Sequence, residues 1–245
     1  MRTQTGMTRL DRPWRRPGAA WYALTRRLPG LVHPPVSVYG ADSVPVLRNQ
    51  PVVFRDGTTL RVNVVLPAAG QITFGTRDEG ACWEWPVTAD TELTGPMALR
   101  LVVEVHGADD VGLFAGVEKW RGQKYIPFEG SYGFGRDRIT TGWQKASLRT
   151  LDEHESRPFE PVPTCARREP LAPGQIVQLD IALGPSATLF RAGETLRLVV
   201  AGRWLWPLNP LTGQFPAAYQ KGPAARCTLH WGLDHQARLL VPVIP

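Results

Sequence analysis

Apolar and polar positions trade places along most of this chain. In "MALRLVVEV" (97–105), "QIVQLDIAL" (175–183) and "TLRLVV" (195–200) the period is close to two, as in strands with one buried face. That alternation assigns Leu99, Leu101, Val103, Ile181 and Leu198 to a core. "VGLFAGVEKW", "ARCTLHWG" and "ARLLVPVIP" read as further strands. Such runs recur roughly every 10 to 15 residues, with Gly and Pro between them, the spacing of an antiparallel sandwich or jelly roll. No helix-period run exceeds about three turns, and no short-period repeat is visible. The pattern predicts an all-β fold, with a β-sandwich over residues 72–245.

Two segments precede it. Within 37–71, "QPVVFRDGTTLRVNVVLPAAG" reads as a β-hairpin, with two apolar runs about the turn pair Asp56-Gly57. Within 1–36, "GAAWYALTRRLPG" can form one short helix that carries Trp21, Leu24 and Leu28 on a face and stops at Pro29-Gly30. A lone hairpin is marginal in water, and its open edges template pairing. It either folds back onto the sandwich or joins two chains; a homodimer is the expected outcome.

Composition agrees with a globular chain of many turns. Of 245 residues, 43% are hydrophobic and 20% charged, with 23 prolines and 24 glycines. The net charge of +6 is local. Arg2, Arg9, Arg12, Arg15, Arg16, Arg26 and Arg27 face one acid, Asp11, in the first 30 residues. The basic character therefore belongs to an arm, and nucleic acid is not an expected partner. No run approaches the ~20 apolar residues of a membrane span, and the start of the sequence has no secretory h-region, so a cytoplasmic protein is expected. Cys82, Cys165 and Cys227 lie far apart, odd in number and without a CxxC, which suits buried thiols rather than a disulfide framework or a zinc site.

One stretch invites a catalytic reading. "PFEGSYGFGRD" places Ser131 among glycines, but the pentad is Glu129-Gly130-Ser131-Tyr132-Gly133, without the first glycine of a nucleophile elbow. The adjoining "YGFGRDRITTGW" does not read as the helix an elbow requires, and Arg138 stands where a dinucleotide loop needs its third glycine. His33, His106, His154, His230 and His235 offer neither a triad nor a recognised zinc spacing. No catalytic, metal-binding or cofactor-binding residue is assigned, and no cofactor is expected. Nine tryptophans are many. Trp83, Trp85 and Trp231, with Trp204 and Trp206, suit a sandwich core or an interface better than sugar binding. Trp204, Trp206 and Phe215 are the candidate interface or ligand-facing residues.

Several segments together resemble a known family. "ELTGPMALRLVVEV", "EPLAPGQIVQLDIALGPSATLFRAGETLRLVV" and "NPLTGQ" are similar to the C-terminal non-catalytic domain of the Xaa-Pro dipeptidyl-peptidase and cocaine-esterase-like (CocE/NonD) serine hydrolases. The hairpin "VVFRDGTTLRVNVVLP" resembles the opening strands of the same family's catalytic domain. The resemblance implies a jelly-roll, galactose-binding-like sandwich that packs beside an α/β-hydrolase domain and helps to wall its cleft. In a full-length member the hydrolase core, with its triad, would follow the hairpin. Here Pro67–Gln71 leads straight to the sandwich, so no catalytic residue can be carried over.

Three functions fit these observations. The first is a non-catalytic module that packs on a domain or partner and shapes a substrate pocket. The second is a dipeptidyl-peptidase or acyl esterase active only with a partner that supplies the Ser-Asp-His triad. The third is a carbohydrate- or ligand-binding sandwich.

Overall fold

The computed structural model describes residues 69–77, 80–128, 138–205, 223–232 and 235–244 in full, and the backbone alone of four earlier strands. In chain order the strands are β1 (Met7–Leu10), β2 (Val36–Tyr39), β3 (Val46–Val53), β4 (Thr59–Leu66), β5 (Gly70–Gly75), β6 (Gly80–Pro86), β7 (Thr91–His106), β8 (Gly112–Arg121), β9 (Lys124–Ile126), β10 (Thr140–Lys145), β11 (Ile176–Phe190), β12 (Glu194–Ala201), β13 (Arg226–Trp231), β14 (Arg238–Val241) and β15 (Val243–Ile244). A single 3-10 turn, Ala146–Leu148, is the one helical element among the described residues. The candidate helix in 18–30, Ser131, Trp206 and Phe215 all lie outside them.

The strands form two sheets. The first runs β1-β2-β6-β12-β8-β10, with β9 beside β8. The second runs β3-β4-β14-β7-β13-β5, with β11 and β15 also on β7. Every pairing is antiparallel except that of β2 with β6. The alternation read from the sequence explains the layering. Leu99, Leu101 and Val103 of β7, Ile181 of β11 and Leu198 of β12 are all buried in one core cluster between the sheets. Trp83 and Trp231 meet there edge to face, 5.6 Å apart. With Trp85, Leu198, Leu229 and Leu239 they border an apolar cavity of about 30 Å³.

β7 organises the second sheet. β11 pairs with it from Thr91 to Glu104. Its other edge is shared in succession by β15, β14 and β13. β4 then pairs with β14, and β5 with β13. The hairpin of β3 and β4 is thus joined to the sandwich within the chain, the fold-back arrangement rather than an open edge at β4.

At one margin the sheets close without side chains. A Cβ on Gly142 of β10 would overlap the carbonyl oxygen of Ala182 in β11. Two residues further, the Thr140 hydroxyl donates to the Gly184 carbonyl at 2.5 Å. Gly184 sits where β11 shifts register, and a Cβ there meets only Thr140 Oγ1, at 3.5 Å.

The "RAGETLRL" stretch is a structural joint. Gly193 turns the chain at φ +84°, and the fully buried Glu194 follows it. Burial opposes ionisation of Glu194, but Lys119, the Arg191 N–H and Arg121 outweigh it and hold the carboxyl below its usual range. Its oxygens lie 2.8 Å from Lys119 Nζ and 2.7 Å from Arg121. Lys119 also donates to the Leu189 carbonyl of β11 at 2.6 Å, so the joint ties the two sheets.

Two outcomes test this account. Gly142→Ala is expected to cost about 1–3 kcal/mol through overpacking, whereas Gly184→Ala stays near wild type; urea unfolding of both checks the contrast. Glu194→Gln is expected to cost about 1–3 kcal/mol at pH 7. Because the folded-state pKa is depressed, the charge contribution is complete above the ordinary glutamate value of about 4.3 and is lost as pH falls through the lower folded value. The Glu194→Gln chain should therefore show a shallower loss of stability on acidification, read as unfolding midpoints between neutral and acid pH.

Candidate docking surfaces

β12 departs from simple alternation: Arg197, Val199 and Ala201 point away from the core yet are buried. They belong to the outer face of the first sheet, which carries a layer of its own. Register places Glu84, Arg197 and Glu118 side by side across β6, β12 and β8. Arg197 pairs with Glu84, and its guanidinium lies 3.8 Å from the centre of the Trp120 ring. The Trp120 indole donates to Glu118 at 2.9 Å. Arg138 also reaches Glu118, at 2.9 Å, and donates to the Leu205 carbonyl at 3.2 Å. Signs alternate along the row, so each buried charge faces its opposite.

Below this row the face turns apolar. Cys82, Phe114, Val199, Ala201 and Leu205 form a second buried cluster, with Trp204 packed against it. Trp204 meets Phe114 edge to face at 5.4 Å and Trp143 at 5.6 Å. Trp143, on the outermost strand β10, is 58% exposed, more than any other large apolar residue described. Of the predicted candidates, the structure therefore places Trp204, half-buried, in this margin. It adds Trp143, whose signal was its place between Thr141 and Lys145 in an alternating strand. Trp83, Trp85 and Trp231 are core residues.

The outer face of the second sheet is polar. His230 Nε2 lies 3.0 Å from Glu104, and His106 Nε2 lies 3.2 Å from the Thr228 hydroxyl and 3.6 Å from Glu104. Hydroxyl, imidazole and carboxylate are all present, but one ring nitrogen faces both partners. A triad needs the acid on the second nitrogen, so this cluster does not activate Thr228. The rings of His230 and His235 stand 5.1 Å apart. No group of three metal-binding side chains occurs among the described residues.

Thiol chemistry is muted. Burial pushes the Cys82 thiol well up, with nearby Arg197 only partly offsetting it, and burial does the same to Cys227. Cys165 differs from the expectation of a buried thiol: it is exposed, at a left-handed φ of 51°. No described helix is long and apolar enough to cross a membrane.

The second sheet also carries a break. Val65, Leu239 and Leu99 lie abreast, as do Gln71, His230 and Val102. Between these two rows β7 advances by three residues, the outer line of β4 and β5 by six, and the middle line of β13 and β14 by nine. The additional residues lie between β4 and β5 on one line and between β13 and β14 on the other. Beside the break a Cβ on Gly232 would overlap Ala69, and Gly70 lies under the Trp231 indole.

Comparison with known proteins places this architecture. Two crystal structures of a CocE/NonD family hydrolase from Staphylococcus aureus are similar to it, each with a TM-score of 0.66 and 25% identity. The similarity covers 81% and 82% of this chain but 37% of the hydrolase, so the chain spans little more than a third of that relative's length. No curated protein sequence matches. Residues 75–205, over half of the chain, match the X-Pro dipeptidyl-peptidase C-terminal non-catalytic domain, and the chain belongs to that family.

Proposed function

We propose that this chain is a non-catalytic sandwich module that packs against an α/β-hydrolase domain and helps to shape its substrate pocket. The observation that carries this reading is the match of most of this chain to a minor part of a hydrolase. The matched share is larger than residues 72–245 could supply, so it reaches into the first 71 residues as well. Between β4 and β5 only residues 67–69 intervene, too few for a catalytic core at that point. A hydrolase domain would come from elsewhere and bring the triad, and acyl esters or dipeptidyl substrates would be its substrates.

The geometry lends less to sugar binding. Flat sugars stack on exposed, parallel aromatic faces. Trp204 is half-buried and stands at 75° to Trp143 and 85° to Phe114.

A fluorophosphonate probe tests the proposal. The purified chain should neither label nor turn over an activated acyl ester. Chain recovered from lysate of its own source should carry with it a second, fluorophosphonate-labelled polypeptide. Turnover by the purified chain that disappears in Ser131→Ala would overturn the reading, as would recovery without any labelled hydrolase.

A further inference from the structure

We infer that Arg100 and Arg238, with the apolar cavity beside them, form a binding site for a small molecule that carries a carboxylate on a short alkyl chain. The site lies on the second sheet at Leu101. On one edge of β7, Arg100 pairs with Arg238 of β14, and Val102 pairs with His230 of β13. Leu101, between them, has no ladder partner on that edge among the described residues, although Leu179 of β11 faces it on the other. The cavity sits at this handover from β14 to β13. Three tryptophans and five leucines line it, and so do Arg100, Arg238 and His230, whose positions in the alternation belong to the outer face of the same strands.

The charges on that face do not close. Register sets Asp180, Arg100 and Arg238 abreast. Asp180 accepts from Arg100 at 2.7 Å and from Gln178 at 2.6 Å. Arg238 stands next in line, directly opposite a like charge, an arrangement that weakens strand pairing. Its guanidinium donates to Gln236 at 3.4 Å, and no acid among the described residues forms an ion pair with it. Burial and, after it, the charge of Arg100 hold the Arg238 pKa below its ordinary value, with Asp180 acting against them. Glu104, further along β7, is engaged by His230 and His106. The row on the first sheet alternates in sign, whereas this one is an acid short. A bound carboxylate supplies that acid in the two-oxygen geometry that arginine favours.

The cavity sets what the carboxylate carries. A water needs roughly 10–15 Å³ of such space. The volume of about 30 Å³ therefore admits two or three carbon-sized groups, a short alkyl chain and no ring. Trp85 of β6 and Leu198 of β12 come from the first sheet, and Leu99, Leu229 and Leu239 from the second, so a chain in the cavity is enclosed from both sides. Each methylene buried there raises affinity about fourfold. An occupant held by Arg238 and packed under Leu229 joins β14 to β13 at the place where β7 passes from one to the other.

Titration of the full-length chain, followed by proton–nitrogen correlation NMR, tests the site. Sodium butyrate supplies carboxylate and chain, sodium acetate the carboxylate with a single methyl, and butanol the chain without the charge. Butyrate should saturate one site, about tenfold more tightly than either acetate or butanol. The indole N–H resonance of Trp85 should move with it and that of Trp143 should stay, each signal identified by its loss in Trp85→Phe or Trp143→Phe. Arg238→Gln should weaken butyrate about tenfold and leave butanol unchanged. Asp180→Asn frees Arg100 and should tighten butyrate about threefold, the opposite of what a general loss of structure would do. Absence of butyrate binding to the folded wild-type chain, or binding that Arg238→Gln leaves intact, would overturn the proposal. Equal affinity for acetate would overturn it by removing the cavity, and equal affinity for butanol by removing the arginines. A shift at Trp143 in place of Trp85 would overturn the location.

Discussion

Everything in the second sheet depends on β7 being hydrogen-bonded along both edges. A strand of sixteen residues paired on one side only would present a long template for other chains. Here β11 occupies one edge, and β15, β14 and β13 share the other, so the edge problem is moved outward to shorter strands. Once β7 is fixed, its inward row of Met97, Leu99, Leu101, Val103 and Val105 sets the level of the core, and β12 is placed to face it. The four strands that β7 organises inherit their register from it. A one-residue slip would turn that row outward and strand Arg100 and Glu104 in the core.

Much of this was legible in the amino-acid order, because period-two burial leaves a direct imprint. Leu99, Leu101, Val103, Ile181 and Leu198 were assigned to the core by alternation and are there. The outer face of the first sheet was not legible in the same way. Arg197, Val199 and Ala201 stand at polar-face positions, and nothing local to "LRLVVA" says that a further layer covers them. Glu84, Glu118, Arg138 and Arg197 read as scattered surface charges, since they come from four separate stretches and are brought together only by strand pairing. Trp143 escaped notice for a related reason: its one signal, the polar face-mates Thr141 and Lys145, can be read only once Thr140–Lys145 is known to be a strand. The break in the second sheet was hidden too, because three and six extra residues become visible only when register is counted across three strands.

The family motifs gain a physical meaning from this arrangement. The "GETLRL" stretch joins a left-handed glycine, a buried carboxylate and an arginine stacked on Trp120. They hold β12 against β8 and β11 and so fix the positions of the surfaces that these strands present.

The charged row on the first sheet has a consequence for how such a face can change over time. Arg197 stands between two acids and Glu118 between two arginines, while Trp120 serves both. Reversing the sign of Arg197 or Glu118 would set like charges against each other on either side, and removing either would take away the one opposite charge that the adjoining end of the row, Glu84 or Arg138, faces within it. Substitution by single steps is therefore blocked at the middle of the row and easier at its ends, at Glu84 and Arg138. The row should drift among relatives from its ends inward, or be exchanged as a block for apolar residues, with Trp120 the last to go.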